Sequence, residues 1–247
     1  MMAFPRLRLA YLYPRLMNLY SDAGNVTCIA RRCAWRGIPL DVEEIEIKET
    51  PDFSRFDLAF IGGGEDRQQV IAAHDLCGAK REPLLRALHE GLVCLAVCGG
   101  YQLLAEYYRP AEGDDLPGLG FIRASTRHPG HGARRCVGNA VVDWMGTLLV
   151  GFENHGGRTT LHGSQPLGRV RHGQGNNGAD GTEGAIEGNT FGTYLHGSLL
   201  PKNPALADEL LRRALLRRGV DTPLAPLDDR VEVQARDAML ARLAIRR

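Results

Sequence analysis

Cys98 is the first residue on which chemistry can be built. It follows the apolar run Leu92-Val93-Cys94-Leu95-Ala96-Val97 and precedes Gly99 and Gly100 at the start of a helical pattern. A cysteine at a sharp strand-to-helix turn stands at the carboxyl edge of a sheet, where the crowded backbone demands small neighbours. Unpaired N–H groups at the start of the helix favour thiolate over thiol, and the amide after the nucleophile can donate to an oxyanion. The rival reading is a buried structural thiol, the commoner fate of a lone cysteine. Cys94, inside the strand, has no such setting and reads as core.

A cysteine nucleophile needs a base. His196 closes the short β-like run Thr193-Tyr194-Leu195, and its distance from Cys98 in the fold decides between a catalytic and a structural histidine. Gly62-Gly63-Gly64 ends another apolar run and can bring backbone N–H groups to the same sheet edge. No GxxxxGK[ST] pattern accompanies these glycines, so ATP binding by this chain is not expected. His128 and His131 lie in a Pro/Gly-rich stretch with no cysteine or carboxylate pattern to complete a zinc site, and no metal is expected.

The elements that must position these residues alternate. Residues 8–13 read as a strand, and Ser21 and Asp22 as possible caps of a helix that Gly37 and Pro39 end. Residues 40–47 and 58–61 read as strands, helical material returns through Leu84, Leu85 and Leu88, and residues 92–97 form a central strand buried on both faces. The stretch GGYQLLAEYY from Gly99 reads as the helix after it. This βαβ rhythm implies an α/β fold with a mainly parallel sheet flanked by helices. The second half adds short strands at 138–142, 148–152 and 191–195, then two closing helices. The first of these carries Leu206, Leu210, Leu211, Ala214 and Leu215 on one stripe. The glycine-rich segment 173–188 reads as an exposed, solvated loop.

With 247 residues and no linker, residues 1–247 are expected to form a single domain. Thirty Lys+Arg against 29 Asp+Glu leave a net charge of +1, so no global field favours nucleic acid or an anionic membrane. Six cysteines without a CxxC pair fit free thiols. Arginines and prolines interrupt the N-terminal stretch 1–16, which therefore reads neither as a signal peptide nor as a membrane span, and a cytoplasmic protein is expected.

The segment Ala96-Val97-Cys98-Gly99-Gly100-Tyr101-Gln102, the upstream glycines and the late His196 together resemble class I glutamine amidotransferases, whose elbow reads Gly-x-Cys-x-Gly-x-Gln. Ala96 replaces the first glycine. Ser198 stands where the family's usual glutamate follows the histidine by two places, as in the cobyric-acid-synthase-like branch. Within that branch, GFENHGGR at 151–158, GQGNN at 173–177 and GTYLHGSLLPKN at 192–203 resemble the glutaminase subunits of lipid II isoglutaminyl synthases.

The resemblance implies hydrolysis of L-glutamine by Cys98 and His196, with Gly63, Gly99 and Gln102 around the substrate. It implies delivery of ammonia to a MurT-like Mur ligase partner that amidates D-glutamate of the lipid II stem peptide. No cofactor is implied in this chain; ATP and Mg belong to the partner, through which lipid II is reached. Glutamine binding falls to Arg135 in Arg135-Cys136-Val137-Gly138, with neighbouring Arg134 as the alternative match. A guanidinium suits that task because it grips an α-carboxylate through two parallel hydrogen bonds. Three rival readings are a glutaminase serving a cobyric-acid-type synthase, a non-catalytic binding module of the same fold, and a cysteine peptidase on this fold, which would need an open cleft and no synthase partner. With Ser198 in place of the acid, and neither Glu65 nor Glu153 marked by spacing, a carboxylate from the partner is expected to orient His196.

Overall fold

The computed structural model describes residues 4–245, so the first three residues of the stretch read for a leader lie outside it. Strand β1 (Leu7–Leu12) leads through a turn-rich segment into helix α1 (Ala23–Trp35), which buries Val26, Ile29 and Cys33 along one stripe. Strands β2 (Leu40–Ile45) and β3 (Leu58–Ile61), helices α2 (Asp66–Leu76) and α3 (Arg81–His89), strand β4 (Val93–Val97) and helix α4 (Gly99–Leu104) follow. β3 and β4 are buried along their whole length, as a central parallel strand covered on both faces requires.

Strands β5 (Tyr107–Arg109), β6 (Leu116–Pro117) and β7 (Ala124–Arg127) precede a long hairpin of β8 (Cys136–Trp144) and β9 (Thr147–His155). Strands β10 (Arg158–Leu161), β11 (Gly168–His172), β12 (Thr182–Glu183), β13 (Ala185–Glu187) and β14 (Thr190–Thr193) come next, and helices α5 (Leu199–Lys202), α6 (Pro204–Arg217) and α7 (Arg230–Arg242) close the chain. The main sheet runs β13-β14-β4-β3-β1-β2, parallel throughout except for the β13–β14 edge pair. The mainly parallel sheet flanked by helices is therefore present. Two four-stranded sheets, β10-β7-β5-β6 and β12-β11-β8-β9, account for the extra strands of the second half. The predicted stripe of α6, Leu206 to Leu215, is buried.

Two expectations fail. The helix after Cys98 stops at Leu104, because the carbonyls of Leu103, Leu104 and Ala105 accept N–H groups of residues 119–122, and Tyr107 enters β5. The segment 173–188 is no solvated loop. The Glu153 carboxylate binds the N–H groups of Gln174 and Gly175, Asn176 and Glu183 are buried, and β12 and β13 form within it. Among the described residues, no helix is long and apolar enough to cross a membrane.

Candidate active site

The carboxyl ends of β3, β4 and β14 lie side by side, so Gly63, Cys98 and His196 meet at one edge of the sheet, as such folds place their ligands. Cys98 sits at the elbow between β4 and α4 with φ 52° and ψ −106°, a backbone conformation unusual for a residue with a Cβ. Its N–H donates to the Thr193 carbonyl at 2.7 Å, which locks the elbow to the strand that carries His196. Two close approaches explain the elbow's glycines. A methyl group on Gly100 would strike the Ile61 side chain at 1.9 Å, and one on Gly99 would lie 3.2 Å from the Gly64 nitrogen.

His196 is fully buried, and its backbone pairs with Phe152 of β9 in both directions. Its Nδ1 lies 3.3 Å from each carboxylate oxygen of Asp22, which is itself fully buried. Asp22 also accepts the Gly63 N–H at 2.8 Å. Gly63 marks the point where the three side chains converge. A Cβ there would stand 2.7 Å from His196 Cε1, 3.3 Å from Cys98 Cβ and 3.4 Å from Asp22 Oδ2. Burial alone would push the imidazole down, but the negative charges of Cys98 and Asp22 and their hydrogen bonds lift His196 to about 10. The Asp22 carboxyl group thus holds the imidazole on one side, with Cys98 beside it, and the imidazolium is the favoured form of His196 at neutral pH.

Asp22 corrects the expectation of an orienting acid from a partner. The sequence marks it only as a helix cap. Although it occupies the N-cap position of α1, its side chain makes no capping bond and turns to His196 instead. Ser198, standing where the family's glutamate is usual, supports this indirectly: its hydroxyl donates to the Ser21 carbonyl at 2.8 Å, beside Asp22. Glu65 instead makes a capping box at the start of α2, and Glu153 holds the 173–175 turn, so neither serves His196.

Gly63 lies at the site, and its own N–H is spent on Asp22. The neighbouring Gly64 N–H has no acceptor among the described residues and lies beside Gly99, at the elbow that carries Cys98. Cys94 is core, as expected, its thiol pushed up to about 12 by burial.

A cavity of about 400 Å³ opens in front of Cys98, and Gln102, Tyr20, His155 and Arg135 are among the residues that line it. Gln102 accepts a hydrogen bond from Gln69 at 2.7 Å and donates one to the Tyr194 hydroxyl at 3.0 Å, leaving one N–H for a ligand. Arg135 stands at the rim, braced by Asn154 through its Nε at 3.0 Å. Arg134 does not line the cavity; its carbonyl serves Arg158.

Sequence reasoning missed Tyr20 and His155. Tyr20 stands edge-on to His196 with ring centroids 5.0 Å apart. His155 stacks on Tyr194 at 3.7 Å, and burial first, then the positive charges nearby, push it down to about 4 despite its bond to the Gly157 carbonyl.

Residues 8–204 match the model of the CobB/CobQ-like glutamine amidotransferase domain. The chain belongs to that family. Among relatives of this amidotransferase, the lipid II isoglutaminyl synthase (glutamine-hydrolyzing) subunit GatD of Staphylococcus aureus (strain N315) is 41% identical over 228 residues, covering 92% of this chain and 91% of its own. The subunit of the same name from Streptococcus pneumoniae (strain ATCC BAA-255 / R6) is 37% identical, covering 91% and 86%. Among solved structures, PurLQS from Thermotoga maritima superposes with a TM-score of 0.59 at 15% identity, covering 88% of this amidotransferase and all of that chain, a likeness of fold.

Proposed function

We propose that this amidotransferase is the glutaminase subunit of a lipid II isoglutaminyl synthase. It hydrolyses L-glutamine to glutamate and ammonia in the cytoplasm and passes the ammonia to a MurT-like ligase subunit, which amidates D-glutamate of the lipid II stem peptide to D-isoglutamine. ATP and Mg act in that partner, which also contacts lipid II. The convergence of Cys98, His196 and Asp22 on Gly63, beside a cavity with a guanidinium at its rim, supports the glutaminase chemistry, and the likeness to the two GatD subunits supports the lipid II assignment.

The steps follow from this geometry. Arg135 binds the α-carboxylate of glutamine and aims the side-chain amide at Cys98. The thiolate adds to the amide carbon, and the new oxyanion points at the Gly64 and Gly99 amides. His196 gives its proton to the nitrogen as the C–N bond breaks, so ammonia leaves and a thioester remains. Now neutral, the imidazole takes a proton from the water that attacks the thioester. Glutamate departs and the thiolate–imidazolium pair is restored.

The test uses the chain co-expressed with a Mur-ligase-like subunit. Cys98→Ser should abolish glutamate release and glutamine-dependent amidation, because the hydroxyl is a far poorer nucleophile at neutral pH. Ammonium chloride should restore amidation to that variant, since the ligase step needs only ammonia. Glutamate release near the wild-type rate by Cys98→Ser would overturn the assignment.

A further inference from the structure

A buried carboxyl that takes no part in the steps above lies behind the site. Glu183, on β12, is fully buried. Its Oε1 accepts the Tyr194 N–H at 2.7 Å and the Thr193 hydroxyl at 3.0 Å. That hydroxyl in turn accepts the Leu195 N–H at 3.0 Å. One carboxyl oxygen and one hydroxyl therefore hold two successive backbone N–H groups, those of Tyr194 and Leu195, and the next residue is His196. The same segment also reaches the nucleophile, because the Thr193 carbonyl receives the Cys98 N–H.

We propose that Glu183 is a positioning residue for the Cys98–His196 pair, setting the separation and aim of both through the Thr193–Tyr194–Leu195 segment. Three features support this role. The segment has left the β14 ladder at Thr193, so its N–H groups depend on side chains for partners. The second carboxyl oxygen, Oε2, is buried and has no hydrogen-bond partner among the described residues, a cost that a residue placed only for packing would not carry. Burial lifts the carboxyl to about 7, the bonds from Tyr194 and Thr193 oppose that, and the Glu153 carboxylate adds to it. Tyr101 is the other titratable group that feels its charge.

The inference rests on the proposed chemistry, but one measurement is independent of glutamine. Alkylation of Cys98 by iodoacetamide, followed by peptide mass spectrometry, reads the thiolate–imidazolium pair directly, with half-buried Cys28 and Cys77 as internal references and His196→Ala setting the floor. Glu183→Ala and Thr193→Val should slow both Cys98 alkylation and glutamate turnover about tenfold or more, with KM for glutamine little changed, because a small misplacement of reacting groups costs rate. Glu183→Gln keeps an acceptor for both donors and should stay within about twofold of wild type. If Glu183→Ala fails to fold, Thr193→Val decides alone, since it removes only the hydroxyl relay.

Folded Thr193→Val with wild-type alkylation and wild-type kcat would overturn the inference. Wild-type protein that alkylates rapidly at Cys98 but releases no glutamate with its partner would instead sink the proposed function, leaving the alkylation comparison to judge Glu183.

Discussion

Asp22 and Arg135 stand at different points of the site, and the part of each can be tested. Asp22 holds the imidazolium through Nδ1 and so supports the charge on His196. Asp22→Asn keeps an oxygen for the Gly63 N–H but removes the negative charge. Glutamate release should fall about a hundredfold or more, as in other triads stripped of their acid. The sign of the accompanying pH effect is fixed: without the carboxylate His196 drops toward its ordinary value, so the alkaline limb of the rate profile, where the imidazolium loses its proton, should move to lower pH. An unchanged alkaline limb in rate measurements across pH would show that Asp22 does not sustain the proton. Arg135 has a different task. On the proposed mechanism Arg135→Ala removes an anchor for the substrate's α-carboxylate rather than a reacting group, so KM for glutamine should rise at least tenfold while kcat changes little. Steady-state kinetics that left KM unchanged would move the role to another cation.

At the scale of elements, the acid reaches the histidine because α1 begins hard against the α5 approach. Gly24 makes that possible. A methyl group there would lie 2.2 Å from Ser198 Oγ and 2.8 Å from its Cβ. Alanine for glycine inside a helix ordinarily stabilises by about 1 kcal/mol. Here Gly24→Ala should instead push the start of α1 outward, draw Asp22 from His196 and cut glutamate release by about tenfold or more, with a smaller loss in melting temperature. Adding Ser198→Gly, which suits the left-handed φ of 49° at that position, should recover much of the activity. Full activity in Gly24→Ala alone would refute the tight coupling.

These contacts show why the sequence discloses some parts of the site and hides others. Cys98 is legible because a nucleophile elbow needs a strand, a turn and glycines in one short stretch. Residues 92–97 and the α6 stripe are legible because their burial is written in hydrophobic period. Asp22 is not, since an aspartate before a helix looks like a cap whichever way its side chain points. The fold of 173–188 is hidden for a related reason. Its glycines and asparagines have loop composition, and only the distant Glu153 and the neighbouring strands give them order.

On the scale of the whole molecule, burial of titratable groups ties stability to pH. His155 is neutral in the fold and held near 4, below the ordinary histidine value of about 6.5, so unfolding takes up a proton across that interval. Its contribution is complete above about pH 6.5 and is lost as pH falls toward about 4, amounting to about 3 kcal/mol at full extent. His155→Phe keeps the stack on Tyr194 and cannot be protonated. In urea unfolding at a series of pH values, wild type should lose stability relative to this variant on acidification, whereas parallel curves would show that His155 is not held neutral. Long connections matter in a second way. Arg32 on α1, almost fully buried, binds Asp208 at 2.7 Å and Asp229 at 2.6 Å, so the first helix is fastened to the last third of the chain. The wide spacing of the reacting groups along the sequence, with Asp22 and His196 174 positions apart, has a consequence for synthesis. On a ribosome Cys98 emerges roughly 5 to 20 s before His196 at ordinary rates of chain growth. Throughout that interval the thiol has no imidazolium beside it and strand β14 is missing from the sheet, so the nascent polypeptide cannot squander glutamine. Activity begins only when translation has delivered the strand that carries the histidine.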